Sequence, residues 1–148
     1  MMLMLMVGLF SFSACSSDDD DDDKSAVLDK DGNVSLIGTW TLNSDEETDW
    51  PYNDVVEALN FKNNNTGTVT GTVVYKDTQS GREVPTALNG TFDYQLTWNN
   101  GIGTLRIANI VGRVGFLTEG TYTLSINGST NRLTTTLLRL NGVNYRRK

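Results

Sequence analysis

The sequence predicts an all-β protein, an antiparallel up-and-down β-barrel of about eight strands, and three observations carry that prediction. Thr91-Phe92-Asp93-Tyr94-Gln95-Leu96-Thr97-Trp98 alternates strictly, with Phe92, Tyr94, Leu96 and Trp98 on one face and polar residues on the other. Short junctions rich in Asn and Gly separate the apolar runs, as hairpins require. Gly71, Gly103, Gly112 and Gly115 fall within runs that otherwise read as strands. Glycine weakens a strand unless the sheet must bend or bulge there, which closing a barrel demands.

Taken in order, the first strand covers residues 36–42. Residues 58–62 and 67–76 form a hairpin about Asn63-Asn64-Asn65-Thr66, with Leu59, Phe61, Val69, Val73 and Tyr75 facing inward. Residues 91–98 and 102–110 pair through Asn99-Asn100-Gly101, with Leu105 and Ile107 on one side of the partner strand. Residues 120–126 and 132–140 are joined through Asn127-Gly128-Ser129, and 143–147 follow Asn141-Gly142 as a last short strand. A two-sheet sandwich is compatible with the same pattern, but long simple hairpins favour the barrel over the crossovers of a Greek key.

Three regions are expected: a signal peptide over 1–14, a tether over 15–34 and the barrel domain over 35–148. The opening Met-Met-Leu-Met-Leu-Met-Val-Gly-Leu-Phe has the length of a secretory apolar core and falls short of the about 20 residues that span a bilayer. Ser13 and Ala14 then precede Cys15, the only cysteine of the chain. This resembles a bacterial lipoprotein signal with its lipobox ending at Cys15, although Phe12 stands where that family usually has leucine. The resemblance implies cleavage before Cys15, lipidation there, and attachment to a membrane without spanning it. Several acyl chains, at about 0.8 kcal/mol per buried methylene, anchor far more firmly than one.

Ser16 and Ser17 lead into Asp18, Asp19, Asp20, Asp21, Asp22 and Asp23. Six like charges in a row repel, stay extended and join no core, so the plain reading is a solvated linker. The run lacks the turn glycine and spaced ligands of a calcium loop. It also resembles the acidic export signal of Bacteroidetes surface lipoproteins, which implies display on the outer face of the outer membrane. Six of the 18 acidic residues lie here, and the remaining 12 balance 12 Lys and Arg. The net charge of −6 therefore belongs to the tether, and the near-neutral domain gives no support to nucleic-acid binding.

Leu36-Ile37-Gly38-Thr39-Trp40-Thr41-Leu42 resembles the opening strand of lipocalin-like domains. There a Gly-x-Trp lies at the closed end of the barrel and an arginine from a late strand covers the indole. The resemblance implies that Gly38 and Trp40 form the barrel floor, with Arg139 as the covering arginine ahead of Arg132 and Arg146. Avidins share this opening, but no set of biotin-contacting residues accompanies it, and biotin binding is not expected. The basic end Arg146-Arg147-Lys148 reads as solvated.

Without histidine, the chain contains no Ser-His-Asp triad, Cys-His pair or histidine-ligated metal, and neither enzyme activity nor a cofactor or metal is expected. Paired carboxylates could come from Asp45, Glu46, Glu47, Asp49, Asp54 and Glu57, but these fall in one polar connection, residues 43–56 with Glu57 at its end, and read as an exposed loop. Residues 54–58 add at most a helical turn to it. That connection also carries Trp50-Pro51-Tyr52, and in lipocalin-like barrels the corresponding loop crosses the open end. Two functional readings follow. The first is a binding module for a small apolar or amphipathic ligand such as palmitate, or for a glycan, using Trp50, Tyr52, Tyr75, Tyr94 and Trp98. The second is a packed interaction domain whose partner is another envelope protein. A hollow barrel lined by these aromatics would favour the first reading, a filled one the second.

Overall fold

The computed structural model describes residues 27–43 and 52–148, with the backbone alone at residues 43 and 52–54. Cys15, Ser16, Ser17, the six aspartates and Trp50 lie outside the described residues. Nine strands form one antiparallel sheet: β1 Gly38–Asn43, β2 Tyr52–Phe61, β3 Thr66–Lys76, β4 Glu83–Asn99, β5 Ile102–Arg113, β6 Gly120–Leu124, β7 Arg132–Leu133, β8 Leu137–Leu140 and β9 Val143–Arg147. Their order around the sheet is β6-β5-β4-β3-β2-β1-β9-β8-β7.

The odd strand number has a geometric consequence. Strands that alternate in direction around a ring of nine must meet at one seam where two run the same way. That seam lies between β6 and β7, and it is joined by a single parallel bridge, Ser125 to Arg132, with the Leu133 N–H donating to the Ser125 carbonyl over 3.3 Å. The sheet is thus a nearly closed up-and-down barrel.

Beyond shifts of a few residues at strand ends, three elements differ from the sequence expectation. β2 begins at Tyr52, so residues 54–58 are extended rather than a helical turn. Val55, Glu57, Leu59 and Phe61 face inward, and the charge of Glu57 hides that alternation from a reading by apolar period. β4 begins at Glu83, eight residues before the alternating run; Leu88 and Gly90 continue its inner face, and the glycine, lacking a side chain, hides the alternation. The expected strand over 132–140 is two strands. The Thr134 hydroxyl accepts the N–H groups of Thr136 and Leu137, and the Thr134 N–H donates to the Leu137 carbonyl, turning the chain at a β-branched run.

Of the glycines read as bends, Gly71 and Gly112 are in strands with positive φ, +140° and +89°. A side chain at Gly71 would stand 1.9 Å from the Val56 carbonyl oxygen, so the sheet closes up at a point only glycine can occupy. Gly115 lies instead in the connection between β5 and β6.

The interior holds Trp40, Phe61, Phe92 and Tyr145 with branched aliphatic side chains around them. Trp40, Leu59, Phe61, Leu105, Leu124 and Leu138 have no exposure at all. A side chain that water cannot touch borders neither solvent nor a void large enough for a water molecule, so the barrel is packed around these residues.

Candidate functional site

At the end where β1 begins, Trp40 forms a floor. Its indole N–H donates to the Leu36 carbonyl over 2.8 Å, and its ring is covered by the guanidinium of Arg147 at 4.2 Å from the ring centre. Arg147 donates from Nε to the Thr135 carbonyl at 2.8 Å, from Nη1 to the Ile37 carbonyl at 2.9 Å, and from Nη2 to the Ser35 carbonyl. Burial lowers its pKa from the ordinary arginine value.

The covering arginine is therefore Arg147 and not Arg139, and the solvated reading of the basic end fails at this residue. β9 is the strand paired to β1, and Arg147 is the backbone partner of Trp40. Arg139 alternates with the buried Leu138 and Leu140, so it faces outward, where it donates to Asn144 Oδ1 and the Ser129 carbonyl. Arg146 is exposed for the same reason of parity.

Beside this floor is a cavity of about 470 Å³, bounded by the start of β1 at Ile37 to Thr39, the β2–β3 turn from Asn60 to Asn64, and Arg147 and Lys148. No Asp or Glu lines it.

At the other end, the connection 114–119 tucks into the barrel. Leu117 is buried, and the backbone N–H groups of Gly115 and Phe116 donate to the two carboxylate oxygens of Glu57 at 3.3 and 2.8 Å. Tyr145 donates to the same carboxylate at 3.4 Å, and Tyr122 donates to the Thr118 carbonyl at 2.7 Å. The reading of Glu57 as part of an exposed loop is thus corrected: it is fully buried on a strand. Burial pushes its carboxyl above the ordinary range, and the N–H donors oppose that shift without cancelling it. Burial first, and the Glu57 charge second, hold the Tyr145 hydroxyl well above its ordinary value.

Among the described residues, the expected ligand-binding aromatics are spread between the two ends of the barrel. Tyr52 and Tyr75 are backbone partners at the far end, and Tyr75, past the last buried residue of β3, is 38% exposed. Tyr94 and Trp98 lie towards the floor end on β4. Tyr94 is tied to the β2–β3 turn, its hydroxyl donating to the Lys62 carbonyl at 2.6 Å and its ring meeting Phe61 edge to face at 4.9 Å. Trp98 is half-buried against Gly103, and its indole nitrogen has no partner among the described residues. Nor do three His, Cys, Asp or Glu side chains among the described residues gather closely enough to hold a metal ion. Comparison of the chain with protein-family models, with curated proteins and with solved structures gave no match.

Proposed function

We propose that this chain is a lipocalin-like surface lipoprotein of the Bacteroidetes type, anchored through Cys15 and held away from the membrane by its acidic tether. Its barrel acts as a non-catalytic recognition domain that meets an envelope partner with its outside. The observation carrying this reading is the packed interior: Trp40, Leu59 and Leu124, which would line a ligand cavity inside the barrel, have no exposure. The family likeness is supported by Gly38 and Trp40 at the start of β1 and by a late-strand arginine over the indole. The one buried carboxylate among the described residues, Glu57, accepts structural hydrogen bonds from the connection 114–119 and from Tyr145.

A second reading, the small apolar or amphipathic ligand, retains one supporting feature. The far end is closed by a connection, residues 114–119, and not by a strand, so a ligand could enter where that connection yields. The anchor is tested by Cys15→Ser, which is expected to release the protein from the membrane fraction; an unchanged lipid content in that variant would overturn it. Replacing residues 18–23 by serine is expected to reduce protease accessibility on intact cells while leaving membrane attachment in place.

A further inference from the structure

From the cavity beside the barrel floor we infer that this protein carries a binding site for an oxyanion, a phosphate, sulfate or carboxylate borne on a small polar molecule or headgroup. The inference is independent of the anchor and of the proposed envelope partner. The cavity, about 470 Å³, has the volume of a small-molecule site, and every charged side chain on its wall is a cation: Lys62, Arg147 and Lys148. No carboxylate among the described residues pairs with any of the three. A half-buried guanidinium without a countercharge is uncommon, because a desolvated cation is ordinarily balanced by an acid.

Arg147 and Asn64, both on the wall, also have donors to spare. Arg147 has five N–H groups, and three are engaged by the carbonyls of Ser35, Ile37 and Thr135. Those three bonds fix the plane of the guanidinium against Trp40, so the remaining two donors are held in place rather than searching for a partner. Asn64 Oδ1 accepts from both the N–H and the hydroxyl of Thr66, at 3.2 and 2.7 Å. That commits its oxygen to the turn and leaves its amide NH2, another donor, as the outer end. Lys62 and Lys148 are exposed at the mouth, where they can draw an anion in and close around it. A wall whose charged side chains are all cations selects a ligand of negative charge, and the fixed guanidinium favours the planar or tetrahedral oxygens of an oxyanion over chloride.

The test is an NMR titration of the isotopically labelled full chain with inorganic phosphate and with sulfate, chloride holding the ionic strength constant. It is repeated on a chain in which residues 18–23 are serine and two glycines follow Lys148, so that the protein's own carboxylates do not occupy the site. Saturable shifts confined to Lys62, Asn64, Arg147 and Lys148 are expected in at least the second chain, with at least tenfold weaker binding in Lys62→Gln combined with Lys148→Gln. That pair leaves the Trp40–Arg147 contact and its three carbonyl bonds intact, so a loss of fold is not the expected cause. Flotation with phosphatidylcholine vesicles, with and without phosphatidylglycerol, separates the sources. Binding that needs the anionic headgroup and fails in the double variant names a lipid, and binding of soluble phosphate alone names a free ligand. Shifts in both chains no larger than those with chloride, or unaffected by the double substitution, would overturn the inference.

Discussion

The guanidinium of Arg147 lies 4.2 Å from the centre of the Trp40 ring, and the two residues are backbone partners across β1 and β9. One arginine therefore covers the floor tryptophan and ties the last strand to two other segments, through the carbonyls of Ser35 and Ile37 and that of Thr135.

Arg147→Ala is expected to cost about 2–3 kcal/mol, since it removes a cation–π contact of about 1 kcal/mol and strips three carbonyls of their donor. Arg147→Lys should recover only part, because an ammonium cannot reproduce the planar fork. Arg139→Ala should cost about 1 kcal/mol or less. Urea denaturation of the three variants measures this, and an equal loss at Arg139 and Arg147 would contradict the assignment of the floor.

Much of this fold is legible in the sequence, and the failures have physical causes. Leu59, Phe61, Phe92 and Tyr94 alternate with polar neighbours, so their strands and inner faces follow from period two. Glu57 occupies an inner position and breaks the pattern, so β2 reads six residues short and a buried carboxylate reads as a loop residue. Its partners, Gly115 and Phe116, lie 58 and 59 residues away and donate through backbone N–H groups, which composition cannot reveal. Arg147 is missed for a related reason. Assigning the covering arginine requires the register of the last strand against β1, which sets Arg147 and not Arg146 opposite Trp40.

Stability is expected to fall as pH rises above the ordinary carboxylate value of about 4.5. The folded-state pKa of Glu57 is raised, so between the two values the folded chain holds more protons than the unfolded one. The contribution is fully present below the unfolded value and is lost as pH rises through the folded one. Glu57→Gln should flatten this slope. Midpoints of urea unfolding at a series of pH values measure it, and an unchanged slope would show that another group sets the dependence.

Glu57→Ala should destabilise by about 3 kcal/mol at neutral pH, because it leaves a cavity and takes the acceptor from Gly115, Phe116 and Tyr145. Hydrogen exchange should show the loss first in residues 114–119. If protection there is unaltered while the rest of the barrel loosens, Glu57 does not hold that connection.

Gly115→Ala tests the same contact from the other side. Its added carbon would stand 2.7 Å from a Glu57 carboxylate oxygen, so the connection must shift outward, at a cost of about 1–2 kcal/mol. Faster proteolysis within residues 114–119 is the expected readout. Wild-type stability and cleavage would mean that the connection does not pack as closely as described.

The packed interior is tested most directly by a thermal-shift measurement on the full chain against palmitate and a panel of apolar small molecules. A ligand that binds only the folded state adds about 2.7 kcal/mol at 100 times its dissociation constant, well within detection. The account predicts no saturable rise in Tm with any of them. A rise that saturates and disappears in Trp98→Ala or Tyr94→Ala would contradict it and make the barrel a container for an apolar ligand.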